Sequence, residues 1–283
     1  MLIADRPLPR GTVCTSPLPD NAMLIMRNSG QDGDSLCPDE LPFAQTVGGT
    51  IGFVSTAVRV DSNFAYCAIT RYINLEKLTR RILHLLLRIA HYLVSTMHLH
   101  LHLAAPALTV RPDGTTGLDL VEVFADSSHG SVDGLSPGGF VLMTRQQPGG
   151  PPSGALAWKC QLPPEGSDSP GAAELKVVTT ALKYTIAVRT LQEELDCGVG
   201  PTRPTPIFTD SKTVIDGTDC ARLIRSSRWL AAKYAMCRWG LACGTISLDK
   251  IDGISNVGDL MTKPLTGQYF FDMRARALGL PIK

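Results

Sequence analysis

The chain has 283 residues, and its 27 Lys and Arg against 26 Asp and Glu leave a formal net charge of +1. With 44% hydrophobic and 19% charged residues it is too apolar to be disordered throughout, and its length suits one large domain or two small ones. The balanced charge excludes a global attraction to nucleic acid or an anionic membrane, so polyanion binding would require a local basic patch.

The location of the protein is predicted from its cysteines and its most apolar segment. The eight cysteines form no C-x-x-C pair and no zinc-site spacing, which is typical of reduced intracellular thiols. The N-terminus lacks the pattern of a secretory signal. The most apolar stretch, residues 81–105, carries Arg88 and five histidines, which would be costly in a bilayer. We expect an intracellular protein, in a cytoplasmic particle or the nucleus, with no membrane partner.

The first half of the chain falls into three segments. Residues 1–40 are rich in proline among Gly, Asp and Ser, which predicts a linker or an extended arm. Apolar residues at helical spacing from Leu75 to Leu93 predict a helix. Residues 97–103 alternate histidine with apolar residues at a period of two, which predicts a half-buried strand. Prolines and glycines at positions 106–117 then mark a domain boundary.

The second half alternates strands and helices. Residues 118–125, 139–144 and 154–159 are short strand candidates separated by Gly, Pro and Ser turns, which predicts an antiparallel meander. An amphipathic pattern then predicts a long helix over 171–195. Further predicted elements are a strand at 206–209, a helix beginning at 211, a helix over 221–243, a strand at 245–251 and a mostly helical segment over 259–278. This order predicts a mixed α/β sheet domain.

Four carboxylates stand at positions where a sheet domain gathers ligand groups. Asp126 and Asp210 lie at predicted strand ends, Glu174 in the first turn of the long helix, and Asp259 at the start of the last helical segment. Together in one cleft they would repel each other unless divalent cations neutralised them, and hard oxygen ligands suit Mg²⁺ or Mn²⁺. Taken singly, each also fits an ordinary turn, N-cap or helix-dipole residue.

Four motifs around these carboxylates follow one another in a recognisable order. They read Phe124-Ala125-Asp126, Ala173-Glu174-Leu175, Pro204-Thr205-Pro206-Ile207-Phe208-Thr209-Asp210-Ser211-Lys212 and Gly258-Asp259-Leu260-Met261-Thr262-Lys263-Pro264-Leu265. In this order the second half resembles the ribonuclease H domain at the C-terminus of copia-type LTR retrotransposon polyproteins. Residues 47–53 and 59–65 are similar to the end of the reverse transcriptase that precedes this domain. The chain has no Tyr-x-Asp-Asp polymerase motif, so polymerisation by this chain alone is excluded.

The resemblance implies a fold and an activity. The fold is a ribonuclease H-like mixed five-stranded sheet with flanking helices over residues 117–283, preceded by a small, mainly helical thumb- or connection-like reverse transcriptase remnant over 41–110. The activity is metal-dependent hydrolysis of the RNA strand of RNA–DNA hybrids during retrotransposon reverse transcription. Two Mg²⁺ ions, or Mn²⁺, are expected at Asp126, Glu174, Asp210 and Asp259. The implied partners are the hybrid and the rest of the polyprotein.

Departures from the family pattern keep two alternatives open. Ser128 and Ala172 stand where further acidic residues are usual, and Trp229 stands where a histidine is expected. These losses favour a decayed or domesticated copy that acts as a non-catalytic nucleic-acid-binding module. A DDE-type integrase is a third hypothesis, disfavoured because its last carboxylate is a helical Glu and the Thr-Lys-Pro-Leu segment would be unexplained.

Positive charge concentrates on and just before one predicted helix. The residues are Arg222, Arg225, Arg228, Lys233 and Arg238. They are candidates for a groove that follows the phosphates of a hybrid duplex, with a solvated helix face as the alternative. Nearby Trp229 and Trp239 are candidates either for stacking on sugars and bases or for ordinary packing. The alternating histidines of residues 98–102 fit an exposed strand face or a transition-metal site.

Overall fold

The computed structural model describes most of the chain. The described residues are 6, 14–31, 34–103, 109–110, 116–117, 121–132, 134–145, 152–163, 167–195, 201, 203–219 and 225–281. Within this part of the chain, no helix combines the length and the apolar character that crossing a bilayer requires.

The first half is helical. Its helices are α1 (Ala22–Arg27), α2 (Leu41–Ala57), α3 (Asn63–Thr70) and α4 (Arg80–Ser95). Helix α4 is the helix predicted around Leu75 to Leu93. It begins after Thr79, whose hydroxyl accepts a hydrogen bond from the backbone N–H of Ile82 and so caps the helix. Its apolar face, which includes Leu86 and Ile89, is fully buried.

The second half alternates strands and helices as expected. After a small ribbon of β1 (Thr109–Val110) and β2 (Thr116–Gly117), its elements are β3 (Val121–Ser127), β4 (Gly138–Arg145), β5 (Pro152–Gln161), α5 (Pro170–Leu195), β6 (Thr205–Thr209), α6 (Lys212–Asp219), α7 (Ala231–Ala242), β7 (Ile246–Lys250) and α8 (Gly267–Leu278). Short 3₁₀ helices cover Arg225–Leu230, Gly253–Ser255 and Val257–Met261.

Strands β3 to β7 form one mixed sheet in the order β5-β4-β3-β6-β7. The pairs β3–β4 and β4–β5 are antiparallel, which confirms the predicted meander, whereas β6 runs parallel to both β3 and β7. In register, Val123 of β3 pairs with Ile207 of β6. The mixed five-stranded sheet with flanking helices is thus confirmed. Because β3 and β6 are parallel neighbours, their carboxyl ends lie at the same edge of the sheet.

Alternate residues of the central strands enter different cores. On one face of the sheet, Val123 and Leu142 pack in a cluster with Val178 of α5 and residues of α7. On the opposite face, Phe124 and Val141 belong to a second cluster, formed with α8 and with helices α1 to α4. This division follows from the period of two along a strand. The helical first half therefore supplies one of the two layers that cover the sheet.

Hydrogen bonds join the helical half to the sheet and to α8. The indole N–H of Trp158 donates to the carbonyl oxygen of Ser55 at 2.9 Å. The backbone N–H of Cys160 donates to Oδ1 of Asn63 at 3.0 Å. The two halves thus share a core and specific polar contacts. The limits predicted for separate domains, 41–110 and 117–283, stay predictions, and most of the boundary at 106–117 lies outside the described residues.

Several local predictions were wrong. Residues 14–31 are not an extended arm, because α1 packs near α4 and buries Leu18, Ala22 and Met26. Residues 97–103 form no strand, since this described segment has no regular backbone hydrogen bonding with a neighbouring strand. Instead, the backbone N–H of His102 donates to the carbonyl of Leu278, and the carbonyl of His102 accepts from the N–H of Gly154.

The predicted helical ends also differ from those in the structure. The segment predicted as mostly helical over 259–278 divides into the 3₁₀ helix Val257–Met261 and α8, with Pro264 between them. In the segment predicted as a helix over 221–243, the α-helix begins at Ala231 after the 3₁₀ helix Arg225–Leu230. Residues 221–224 of that prediction lie outside the described residues.

Candidate active site

Three of the four predicted carboxylates meet at one edge of the sheet. Asp126 lies at the end of β3, Asp210 directly follows β6, and Glu174 is in the first turns of α5. One carboxylate oxygen of each residue lies within 4.8 Å of the other two. Asp126 and Glu174 are only 1% and 7% exposed, and Asp210 is half-buried. The parallel pairing of β3 and β6 brings the two aspartates together, and α5 adds the glutamate from one face.

A tight backbone approach places the 3₁₀ helix Val257–Met261 beside β3. The side-chain amide of Asn256 donates to the carbonyl of Ala125 at 3.1 Å, and its Oδ1 accepts from the N–H of Gly258 at 3.0 Å. A Cβ on Gly258 would lie 3.0 Å from Cβ of Asp126 and 3.1 Å from its backbone nitrogen. Only glycine allows this approach without displacement of Asp126.

Glu174 is held by one oxygen and unpaired at the other. Its Oε1 accepts hydrogen bonds from both the backbone N–H and the hydroxyl of Ser127, at 3.1 and 3.0 Å. Its Oε2 is buried and has no hydrogen-bond partner. A buried carboxylate oxygen without a donor costs free energy in the absence of a cation. Three hard oxygen donors with one of them orphaned fit a divalent cation such as Mg²⁺.

The site disfavours three ionised carboxylates in the absence of a cation. Burial, followed by the charge of Asp259, raises the pKa of Asp126 to about 7, against the lowering effect of Lys263. Burial, followed by the charge of Asp126, raises the pKa of Glu174 to about 8 despite the hydrogen bonds from Ser127. A bound divalent cation would oppose both effects because it favours the ionised forms.

The fourth predicted ligand, Asp259, lies beside this cluster and has other partners. Its Oδ1 is 2.6 Å from Nζ of Lys263, and its Oδ2 accepts a hydrogen bond from the Tyr269 hydroxyl at 2.8 Å. The same Lys263 Nζ is 3.5 Å from Oδ2 of Asp126, which also accepts from the Thr262 hydroxyl. Although burial alone would lower it, the carboxylates of Asp126 and Asp259 raise the pKa of Lys263.

The sequence analysis assigned no role to three residues that contact the carboxylates, namely Lys263, Thr262 and Ser127. Lys263 and Thr262 stand inside a motif quoted for its resemblance, and the spacing of four residues between Asp259 and Lys263 was the available signal. Ser127 directly follows Asp126, yet its bonds to Glu174 depend on how α5 packs against β3.

The predicted basic surface is described only in part. Arg228 is exposed and Lys233 half-buried, whereas Arg222 lies outside the described residues and Arg225 is placed only as part of a 3₁₀ helix. The Arg238 guanidinium donates to the carbonyls of Gly217 and Thr218, each at 2.9 Å, and so ties α7 to the end of α6. Nucleic-acid binding by these residues stays a prediction.

The fold and the acidic cluster together define a mixed α/β protein with a buried carboxylate centre. No family model and no curated protein matches the chain. Among solved structures it is similar to the N-terminal ribonuclease H domain of Rv2228c from Mycobacterium tuberculosis, at 16% identity and a TM-score of 0.37, covering 50% of this chain and 89% of that one. Ribonuclease H1 from Halobacterium salinarum gives 19% identity and a TM-score of 0.36, covering 50% and 92%.

A longer protein is also among the similar structures. The prototype foamy virus protease-reverse transcriptase has 12% identity and a TM-score of 0.32, and the match covers 60% of this chain and 21% of the viral protein.

Proposed function

We propose that the chain is a metal-dependent ribonuclease H-type endonuclease that hydrolyses the RNA strand of RNA–DNA hybrids. The observation that carries the proposal is the orphaned, buried Oε2 of Glu174 beside Asp126 and Asp210, whose oxygens gather within 4.8 Å. A structural carboxylate would have a donor for that oxygen, whereas a cation ligand needs it free. The strand-end positions of the two aspartates favour a site open to a ligand at the sheet edge.

Asp126, Glu174 and Asp210 would hold Mg²⁺ or Mn²⁺. When bound, the ion supplies a more acidic water and stabilises the charge that develops on the phosphate and the leaving oxygen. The chain's own residues fix the geometry. Strands β3 and β6 set the aspartate separation, and Ser127 holds Oε1 of Glu174, so that Oε2 is the oxygen left without a partner. The Lys263 ammonium places a positive charge at the same edge.

We further propose that the chain acts in retrotransposon reverse transcription, with the rest of a copia-type reverse transcriptase polyprotein as its partner. Support comes from the motif at residues 258–265 and from its use in the structure, since it supplies Asp259, Thr262 and Lys263 to the acidic edge. The packing of residues 41–95 against the same sheet is compatible with a polymerase end that is joined to a nuclease.

The experiment is cleavage of a hybrid with a labelled RNA strand. We expect Asp210→Asn to abolish Mg²⁺-dependent cleavage and to retain hybrid binding, because the substitution removes one ligand charge at the edge of the site and leaves the core intact. Asp216→Asn, an exposed aspartate on α6, is the matched control and should cleave like the wild type. An Asp210→Asn protein that cleaves as fast as the wild type would refute the assignment.

The non-catalytic module remains the second candidate because Ser128 and Ala172 replace acidic residues of the family pattern. Its signature in the same experiment is a wild-type protein that binds the hybrid without cleaving it and shows no heat of Mg²⁺ binding in calorimetry. The active enzyme should show both the heat and the cleavage.

A further inference from the structure

A side-chain cation already lies between two of the four carboxylates. Nζ of Lys263 is 2.6 Å from Oδ1 of Asp259 and 3.5 Å from Oδ2 of Asp126. The ammonium group thus contacts one oxygen of each residue, and these are oxygens that a second divalent ion bridging Asp126 and Asp259 would need as ligands. A lysine in the turn after the 3₁₀ helix Val257–Met261 therefore fills a bridging position with a single positive charge.

The second oxygen of Asp259 is also engaged. The Tyr269 hydroxyl from α8 donates to Oδ2 at 2.8 Å and contacts the carbonyl of Gly253 at 3.1 Å. Both oxygens of Asp259 thus have partners within the chain, in contrast to Glu174, whose Oε2 has none. The orphaned oxygen marks the cluster of Asp126, Glu174 and Asp210 as the place for a metal ion, and the satisfied oxygens of Asp259 mark it as a partner of Lys263.

Repulsion between the cations favours the same assignment. The four carboxylates carry four negative charges when ionised, and one divalent ion together with Lys263 supplies three positive charges. A second divalent ion bound to Asp126 and Asp259 would raise this to five and would lie close to the ammonium group, where like charges repel.

We propose that the Lys263 ammonium takes the place of the second divalent cation, so that the site binds one metal ion, at Asp126, Glu174 and Asp210. This inference rests on the proposed metal-dependent function, and it revises the number of ions that the resemblance implies from two to one. Asp259 then acts as a positioning residue, which together with Tyr269 holds the lysine at the edge of the site.

The test counts Mn²⁺ ions bound to the full chain, through the EPR signal of the free ion during titration. We expect one ion per wild-type chain and two per Lys263→Met chain, because this substitution frees Oδ1 of Asp259 and removes the positive charge beside Oδ2 of Asp126, which keeps its hydrogen bond from Thr262. Lys263→Arg keeps the charge and should bind one. Lys250→Met, an exposed lysine at the end of β7, is the matched control and should also bind one.

Asp259→Asn provides a second variant, so that the test does not depend on the folding of Lys263→Met alone. In the wild-type background it should leave the count at one, since Asp259 is no ligand there, and in the Lys263→Met background it should return the count from two to one. Two ions on the wild type, or one on a Lys263→Met chain with wild-type circular dichroism, would overturn the inference and leave the proposed function standing. A wild type that binds no Mn²⁺ would overturn both.

Discussion

Removal of the Glu174 charge should stabilise the metal-free protein at alkaline pH. Glu174 is 7% exposed and has an unpaired oxygen, and burial raises its pKa to about 8 from an ordinary 4.5. A carboxyl whose pKa is raised by folding contributes stability that is fully present below pH 4.5 and is lost as the pH rises through about 8. Glu174→Gln keeps the side-chain shape and an oxygen for the Ser127 donors. Because its amide does not ionise, this variant does not lose stability as the pH rises through this range.

The pKa values set the magnitude. A rise from 4.5 to about 8 corresponds to a ceiling of about 5 kcal/mol at high pH, at about 1.4 kcal/mol per pH unit. Local relaxation and water entry reduce this ceiling, so we expect Glu174→Gln to raise the free energy of unfolding by about 1 to 3 kcal/mol at pH 9. The gain should shrink to near zero at pH 4 and below, where the carboxyl is protonated in both the folded and the unfolded state.

The assay is urea unfolding in EDTA across this pH range, repeated with saturating Mg²⁺. Magnesium should stabilise the wild type more than Glu174→Gln, because only the wild type retains all three proposed ligands. Glu193→Gln, an exposed glutamate on the same helix, is the control and should show neither effect. A Glu174→Gln protein that is destabilised at pH 9 in EDTA would refute the reasoning that this buried charge opposes folding.

One further substitution tests the packing at the site, and two test the helical half and its contact with the sheet. Gly258→Ala should push on Asp126 and weaken Mg²⁺ binding about tenfold or more in calorimetry, since the added Cβ would lie 3.0 Å from Cβ of that residue; unchanged affinity would contradict the tight approach. Tyr92→Phe removes the buried hydroxyl that donates to Asp61 and should cost about 1 to 3 kcal/mol in urea unfolding. Trp158→Phe removes the indole donor to a carbonyl of α2 and should cost about 1 kcal/mol, measured in the same way.

The elements that carry the three carboxylates were predictable because they depend on local patterns. A strand-forming run bounded by turn residues identified β3, and β6 has its aspartate directly after its last residue. Parallel neighbours bring such strand ends together. Glu174 followed from the amphipathic pattern that located α5. Their roles as metal ligands stay predictions, but the elements that carry them could be located without knowledge of the tertiary contacts.

The environment of Asp259 was not predictable in the same way. Its contact with Lys263 requires a 3₁₀ turn in place of the expected helix, and its contact with Tyr269 requires α8 to pack back over that turn. Residues 97–103 illustrate the converse error. Leu99 and Leu101 pack against the core as the alternation predicts, whereas Met97 and Leu103 are exposed. A strand also needs a neighbouring strand with free backbone groups, and in this segment the backbone bonds to distant residues are those of His102 with Gly154 and Leu278.

The shared core also has a consequence for how the chain is made. Helices α1 to α4 leave the ribosome before any strand of the sheet, so their apolar face has no partner until β3, β4 and α8 have followed. Release of the nascent chain before Leu278 would leave that face exposed to aggregation. We therefore expect the helical half and the sheet to fold in a single cooperative step late in synthesis, and a chain cut between them to need both pieces present together to remain in solution.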